Sequence, residues 1–167
     1  MRLSFFVIDS LYITYLRSFD HRVNLMEKSP LSRRRPLVGV LLEIESIKFY
    51  APLSSPKVKH LTMKEGQDFI KIDAGRLGVI NLNNMIPVKD LWIIILDPSQ
   101  LLTITKEDLE YKNLLDNQLT WCNSHKELLQ RKARKLYDLI LSGKARTSLV
   151  QRCCDFKLLC EKCTQYK

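Results

Sequence analysis

Long apolar runs are missing from this chain. No stretch approaches the roughly 20 residues that a membrane-spanning helix requires, and Leu91-Trp-Ile-Ile-Ile-Leu96 falls far short of it. The run Leu3–Ile8 is broken by Ser4 and stopped by Asp9. It lacks the apolar core and small-residue cleavage site of a secretory leader, so the chain reads as cytoplasmic. Cysteine is present in an odd number, five (122, 153, 154, 160 and 163), which argues against a disulfide framework. Cys160-Glu-Lys-Cys163, with Cys153 and Cys154 upstream, has the wrong spacing for a two-knuckle zinc site. On a helix, positions 153, 160 and 163 would share a face as small hydrophobes. Glu43, Glu45, Asp68 and Asp73 are scattered over separate segments, so no acidic cluster marks a divalent-metal site and no cofactor is expected. Neither an internal repeat nor a low-complexity segment is present.

What the chain does have is positive charge. Its 167 residues, long enough to bury a core as one domain, hold 27 basic against 18 acidic residues, a formal net charge of +9. An excess of that size points to a polyanionic partner, most often nucleic acid. It is concentrated in Arg33-Arg34-Arg35 and in the stretch from Lys126 onward. The arginines read equally as a solvated gatekeeper before a strand or as a patch gripping a phosphate backbone, which guanidinium forks suit.

Hydrophobic periodicity divides the chain in two. Residues 2–8 alternate as a first strand, and Leu11, Tyr12, Tyr15, Leu16 and Phe19 recur at helical spacing over 10–20. From 36 to 97 short strands dominate, with a hairpin expected at Glu45-Ser46 and turns at Ala74-Gly75-Arg76 and Asn83-Asn84. The pattern then becomes helical. One helix is expected over 106–122, and Ser124 with Glu127 resembles a capping box for the next, 126–141, which stops at Ser142-Gly143. A last helix spans 149–163. On the second of these helices Arg131, Lys132, Arg134 and Lys135 crowd the face opposite the leucines, with Lys144 just beyond it. That face is either simply solvated or a polyanion contact.

The stretch that carries chemistry is Tyr50-Ala-Pro-Leu-Ser-Ser-Pro-Lys-Val-Lys-His60, at the end of a strand-like run. Ser54 and Ser55 can donate to phosphate oxygens, Lys57 and Lys59 supply point charges, and His60 titrates near neutrality. Pro56 keeps its neighbour extended and is expected to keep helix from forming. The plain alternative is a polar loop with solvated charges.

Tyr50-Ala-Pro-Leu-Ser-Ser-Pro-Lys with His60, followed by Leu77-Gly-Val-Ile-Asn-Leu-Asn-Asn-Met-Ile-Pro-Val, resembles the ToxN/AbiQ toxins of type III toxin–antitoxin systems. Tyr15-Leu-Arg-Ser-Phe-Asp-His-Arg-Val, Leu139-Ile-Leu-Ser-Gly-Lys and Cys154-Asp-Phe-Lys-Leu-Leu-Cys-Glu-Lys extend the likeness to both ends, nearest the CptN branch. The resemblance implies an α+β fold in a single domain, 1–167: an SH3-like, Kid/MazF-type antiparallel β-barrel with strands mainly in 2–8 and 36–97, decorated by about four helices. It implies a sequence-specific, metal-independent endoribonuclease that acts in phage abortive infection or plasmid maintenance. Its partners would be mRNA substrates and a pseudoknot antitoxin RNA, which the toxin itself cuts from tandem repeats and which holds it in a closed protein–RNA assembly. Ser54, Ser55 and Lys57 fall on the family's catalytic segment, where the first hydroxyl is often threonine. A tyrosine that some members carry before the Pro36-Leu-Val-Gly strand is replaced here by the Pro30-Leu31-Ser32 region.

Metal-free RNA cleavage requires deprotonation of the 2′-OH, stabilisation of the phosphorane and protonation of the 5′-oxygen. Lys57 suits the second and third roles, and Ser55 and Ser54 suit placement of the phosphate. His60 serves either as general acid or base or as a structural hydrogen-bonding group. No histidine pair of the ribonuclease A kind is present. Lys59, Lys64, the three arginines and the basic helix face, with Arg131, Lys132, Lys135 and Lys144, would track the RNA backbone. Tyr12, Tyr50 and Tyr111 read as core side chains or as platforms for unpaired bases. The rival readings are a non-catalytic RNA-binding module and a Kid/MazF-type ribonuclease paired with a protein antitoxin.

Overall fold

The computed structural model describes residues 1–25 and 36–167. The triple arginine and the Pro30–Ser32 region therefore lie outside the described residues. Strand β1 (Ser4–Ile8) is buried along nearly its whole length. Asp9 then turns the chain into helix α1 (Ser10–Phe19), its carboxylate accepting from the Leu11 and Tyr12 amides at 2.9 and 3.1 Å. Strands β2 (Leu37–Ile44) and β3 (Ile47–Ser54) form the expected hairpin. Its two turn residues, Glu45 and Ser46, both adopt positive φ (47° and 69°), the twist a tight hairpin demands.

Among the described residues the sheet has seven strands in the order β4-β5-β3-β2-β1-β7, with β6 also paired to β3. Strand β4 is Ile70–Lys71, β5 is Val79–Ile80, β6 is Ile86–Val88 and β7 is Ile93–Leu96. The end strands β4 and β7 do not pair, so among the described residues the sheet is antiparallel and open. Strand β3 has the richest pairing: β2 along one edge, β6 beside Lys48–Tyr50 and β5 beside Leu53–Ser54. Of these neighbours β2 and β5 fix the end of β3, where the chemistry-bearing loop begins.

The helices cover this sheet. Helix α3 (Lys106–Ser124) starts on a capping box in which Thr105 and Asp108 exchange side-chain bonds to each other's amides. Helix α4 (Lys126–Leu141) buries Leu129, Ala133, Leu136 and Tyr137. Its N-cap is His125, without a side-chain bond, and the Ser124 hydroxyl instead donates back to the Trp121 carbonyl. The expected cap at Ser124 is therefore not formed. The single last helix also proves to be two, α5 (Thr147–Arg152) and α6 (Phe156–Gln165). The break has a cause: the Asp155 carboxylate caps α6, and its own amide donates to buried Asp20 at 2.7 Å. Asp20 also takes bonds from the Arg22 side chain at 2.8 and 3.1 Å. Burial alone would raise its pKa, but these bonds outweigh that and hold the carboxyl below the usual range. One carboxylate thus joins the end of α1 to the start of α6.

Phe49, Tyr137 and Phe156 form an aromatic cluster between sheet and helices, with centroids 5.4 to 6.1 Å apart. Burial pushes the thiols of Cys122, Cys153 and Cys154 up to about 12, so they pack as small apolar groups. Among the described residues, no helix is long and apolar enough to cross a membrane.

Candidate active site

Strand β3 releases the chain at Ser54, and a turn from β4 to β5 holds the exit from behind. Gly78, at φ +98°, lies so close that a β-carbon there would stand 2.0 Å from the Ser54 carbonyl oxygen. Only glycine permits that approach. From the same side, Asn81 donates its amide to the Ser54 hydroxyl at 2.8 Å, and its backbone amide bonds the Pro52 carbonyl at 2.9 Å. Ser54 is half-buried and fixed, while Ser55, Pro56 and Lys57 are exposed.

Pro56 does not suppress helix for long. A short helix, α2 (Val58–Thr62), begins immediately after Lys57, which is its N-cap in extended conformation (φ −134°, ψ 151°). The proline constrains only the residue before it, so the helix simply starts beyond its reach. His60 ties the helix to its cap twice. Its amide donates to the Lys57 carbonyl at 2.9 Å, and its Nδ1 accepts from the Lys57 amide at 3.1 Å. A β-carbon at Gly75 would meet the His60 carbonyl at 2.3 Å, so the turn backbone is pressed against α2 as well. At the far end of the helix Lys71 Nζ donates to the Leu61 carbonyl at 3.1 Å, where the helix dipole favours a cation.

The result is a rigid shelf presenting a hydroxyl and an ammonium to solvent. Among the described residues, neither Lys57 nor Lys59 has a carboxylate within ion-pairing distance. The nearby acids are taken: Glu65 pairs with Lys132, and Asp73 pairs with Arg76 at 2.7 Å. Burial, then the positive charges of Lys59, Lys57 and Lys71, lower the His60 pKa. No three His, Cys, Asp or Glu residues among those described converge to hold a metal ion.

The other sequence-derived candidates divide. Lys59 and Lys64 are exposed on and just beyond α2. Arg131, Lys132 and Lys135 line a groove of about 290 Å³ between α4 and Gly66-Gln67, floored by Leu128, Leu136 and Leu139. Lys144 is exposed in the turn after α4. Tyr50 is not a base platform: it is 1 % exposed, lies edge-on to Phe6 at 5.0 Å and packs against Gly39. Burial, with Asp90 and Glu43, pushes its pKa up to about 12. Tyr12 is buried too, its hydroxyl donating to the Pro87 carbonyl at 2.6 Å. Tyr111 is half-buried on α3. Sequence reasoning gave Gly75 only a place in a turn and assigned no role to Asn81 or Gly78. The Leu77–Val88 block that carried the family likeness contains two of them, and that was the available signal.

Comparison with known proteins gives this geometry a setting. The family model for the toxin ToxN of the type III toxin–antitoxin system matches residues 4–164. Over 166 residues the chain is 32% identical to the endoribonuclease ToxN of Pectobacterium atrosepticum, covering 96% of this chain and 91% of that protein. A solved structure concerned with selective toxin inhibition by a non-coding RNA pseudoknot in bacterial type III systems superposes with a TM-score of 0.82. It is 31% identical and covers 99% of this chain and 98% of that one. AbiQ, a lactococcal anti-phage endoribonuclease of a type III system, superposes with a TM-score of 0.81 at 26% identity, covering 99% of this chain and 98% of its own.

Proposed function

We propose, because the chain belongs to the ToxN family of type III toxin–antitoxin toxins, that it is a sequence-specific, metal-independent endoribonuclease acting through the shelf between β3 and α2. The observation that carries the assignment of the site is the juxtaposition of exposed Ser55 and Lys57 with the fixed hydroxyl of Ser54, with no carboxylate paired to the lysine among the described residues.

In this reading the scissile phosphate rests on Ser54 and Ser55, and the substrate's 2′-OH attacks it in line. The P–O5′ bond breaks as the new P–O2′ bond forms and the 2′-OH proton passes to solvent water at the exposed shelf, leaving a 2′,3′-cyclic phosphate and a 5′-OH. Lys57 stabilises the charge gathering on the non-bridging oxygens and delivers a proton to the departing 5′-oxygen. Positioning and electrostatics supply the catalysis. The RNA leaves the shelf along Lys59, Lys64 and the α4 groove, where Arg131 and Lys135 follow its backbone.

A non-coding RNA pseudoknot inhibits the toxin in the related solved structure. The same basic surface supports an RNA antitoxin here, bound in a closed protein–RNA assembly, and the relationship to AbiQ supports a role against phage. We read residues 1–167 as one domain and the sheet as an SH3-like, Kid/MazF-type barrel left unclosed, because β3 is shared between β2, β5 and β6 as a strand at a barrel corner would be.

The test is incubation of purified protein with cellular RNA in excess EDTA, wild type beside Ser55→Ala and Lys57→Ala. The expected result is cleavage that survives EDTA, leaves cyclic-phosphate ends and is abolished in both variants. If all three proteins bind RNA and leave it intact, the protein is a binding module and the catalytic assignment is wrong.

A further inference from the structure

Most capping boxes place Glu or Gln at the third helical position, reaching back to the cap amide. In α2 that place is held by His60, which is 3 % exposed and accepts the Lys57 amide through Nδ1. The lone pair at Nδ1 is thus spent on the backbone of the residue that carries the reactive ammonium. A ring so engaged holds its proton on Nε2 and has no free acceptor with which to take one from a 2′-OH.

We propose that His60 is a positioning residue, which fixes the extended backbone of Lys57 at the head of α2 and so places the lysine against the scissile phosphate. This rests on the reading of Lys57 as the catalytic group. Protonation of the imidazole would put an N–H where the Lys57 amide now points, so the bond breaks and the lysine is released. The charged groups facing the ring are Lys57 and Lys59 from its own helix and Lys71 from β4, all positive. They oppose protonation, as does burial, so the bond persists through neutrality and is lost only in acid. The same chain shows that a shorter side chain can do the job. Asp108, whose oxygen sits as many bonds from Cβ as Nδ1 does, accepts the Thr105 amide at 3.0 Å in the cap of α3.

The experiment compares wild type, His60→Asn, His60→Leu and Lys57→Ala on a synthetic RNA carrying a site cut by the wild type, from about pH 5 to about pH 8, with thermal melts as a check on folding. Asn keeps a neutral acceptor at the Nδ1 position, whereas Leu keeps the bulk without the acceptor. Expected are a loss of about 10²-fold in kcat for His60→Leu with RNA binding retained, and activity within about tenfold of wild type for His60→Asn, since one hydrogen bond is conserved. A fall in rate on the acid side of the ordinary histidine range should be present in the wild type and absent from His60→Asn. If His60→Leu cleaves as the wild type does, Lys57 needs no such support. If His60→Asn is as inactive as Lys57→Ala while still folded, the imidazole itself moves a proton and the positioning role is wrong; where His60→Leu fails to fold, the pH profile of His60→Asn decides alone. If the wild type cuts no cellular RNA from which such a site could be taken, the ribonuclease reading falls first, and this role with it.

Discussion

Replacing Gly78 by alanine tests how tightly the shelf is built. The new methyl carbon would stand 2.0 Å from the Ser54 carbonyl oxygen and 3.1 Å from the carbonyl carbon of Ser55. Reaching even 3.0 Å requires a retreat of 1.0 Å (3.0 − 2.0), taken by the backbone that carries both serines. A misplacement of about 1 Å at reacting groups costs about 10²-fold in rate, or about 2.7 kcal/mol of barrier. Alanine at φ +98° adds about 1–3 kcal/mol of backbone strain, lowering Tm by some 2–4 °C for each kcal/mol in a chain of this size. Gly143→Ala is the matched control. It also has positive φ, +72°, but a β-carbon there meets nothing within 4 Å. Both variants should therefore melt earlier, whereas only Gly78→Ala should lose cleavage of a defined RNA by about two orders of magnitude. Equal activity in the two variants would show that the close approach at Ser54 does not set the geometry of the site.

Two further outcomes follow from the hydrogen bonds. Asn81→Ala removes the donor to the Ser54 hydroxyl; cleavage should fall about fivefold, the worth of about 1 kcal/mol, with RNA affinity in a gel-shift assay unchanged, and a full loss of binding would contradict a role confined to the hydroxyl. The depressed carboxyl of Asp20 contributes stability that is fully present above its ordinary pKa of about 3.9 and is lost as pH falls through the lower folded value. Asp20→Asn should thus cost about 3 kcal/mol at neutral pH and flatten the acid limb of stability measured by thermal melts, whereas an unchanged acid limb would remove Asp20 from the acid response.

Where sequence succeeded, local physics dominates. Asp9 before the apolar period of α1, the Glu45-Ser46 turn and the Gly143 stop of α4 each announce themselves within a few residues, and each forms. Where it failed, the deciding partner is distant in sequence. Asp155 breaks the last helix because its amide meets Asp20, which no pattern within 149–163 records. Tyr50 is core because Gly39, without a β-carbon, leaves room for its ring on the neighbouring strand. The site was half legible. Hydroxyls and lysines beside Pro56 were visible as chemistry, while the scaffold behind them, Gly75, Gly78 and Asn81, acquires meaning only when the turn from β4 to β5 is folded against the end of β3. Helix α2 was masked by Pro56, whose influence runs backward along the chain and not forward.

The crowding of partners around β3 also bears on how such a protein can be switched off. Local opening is cheapest where few ladders must break, and it sets which segments an inhibitor can pry apart. Here the segment leading to the shelf is bonded to three strands, so distorting it means dismantling most of the sheet. On such a scaffold, direct occupation of the shelf would be a less costly way to silence it than distortion from a distance.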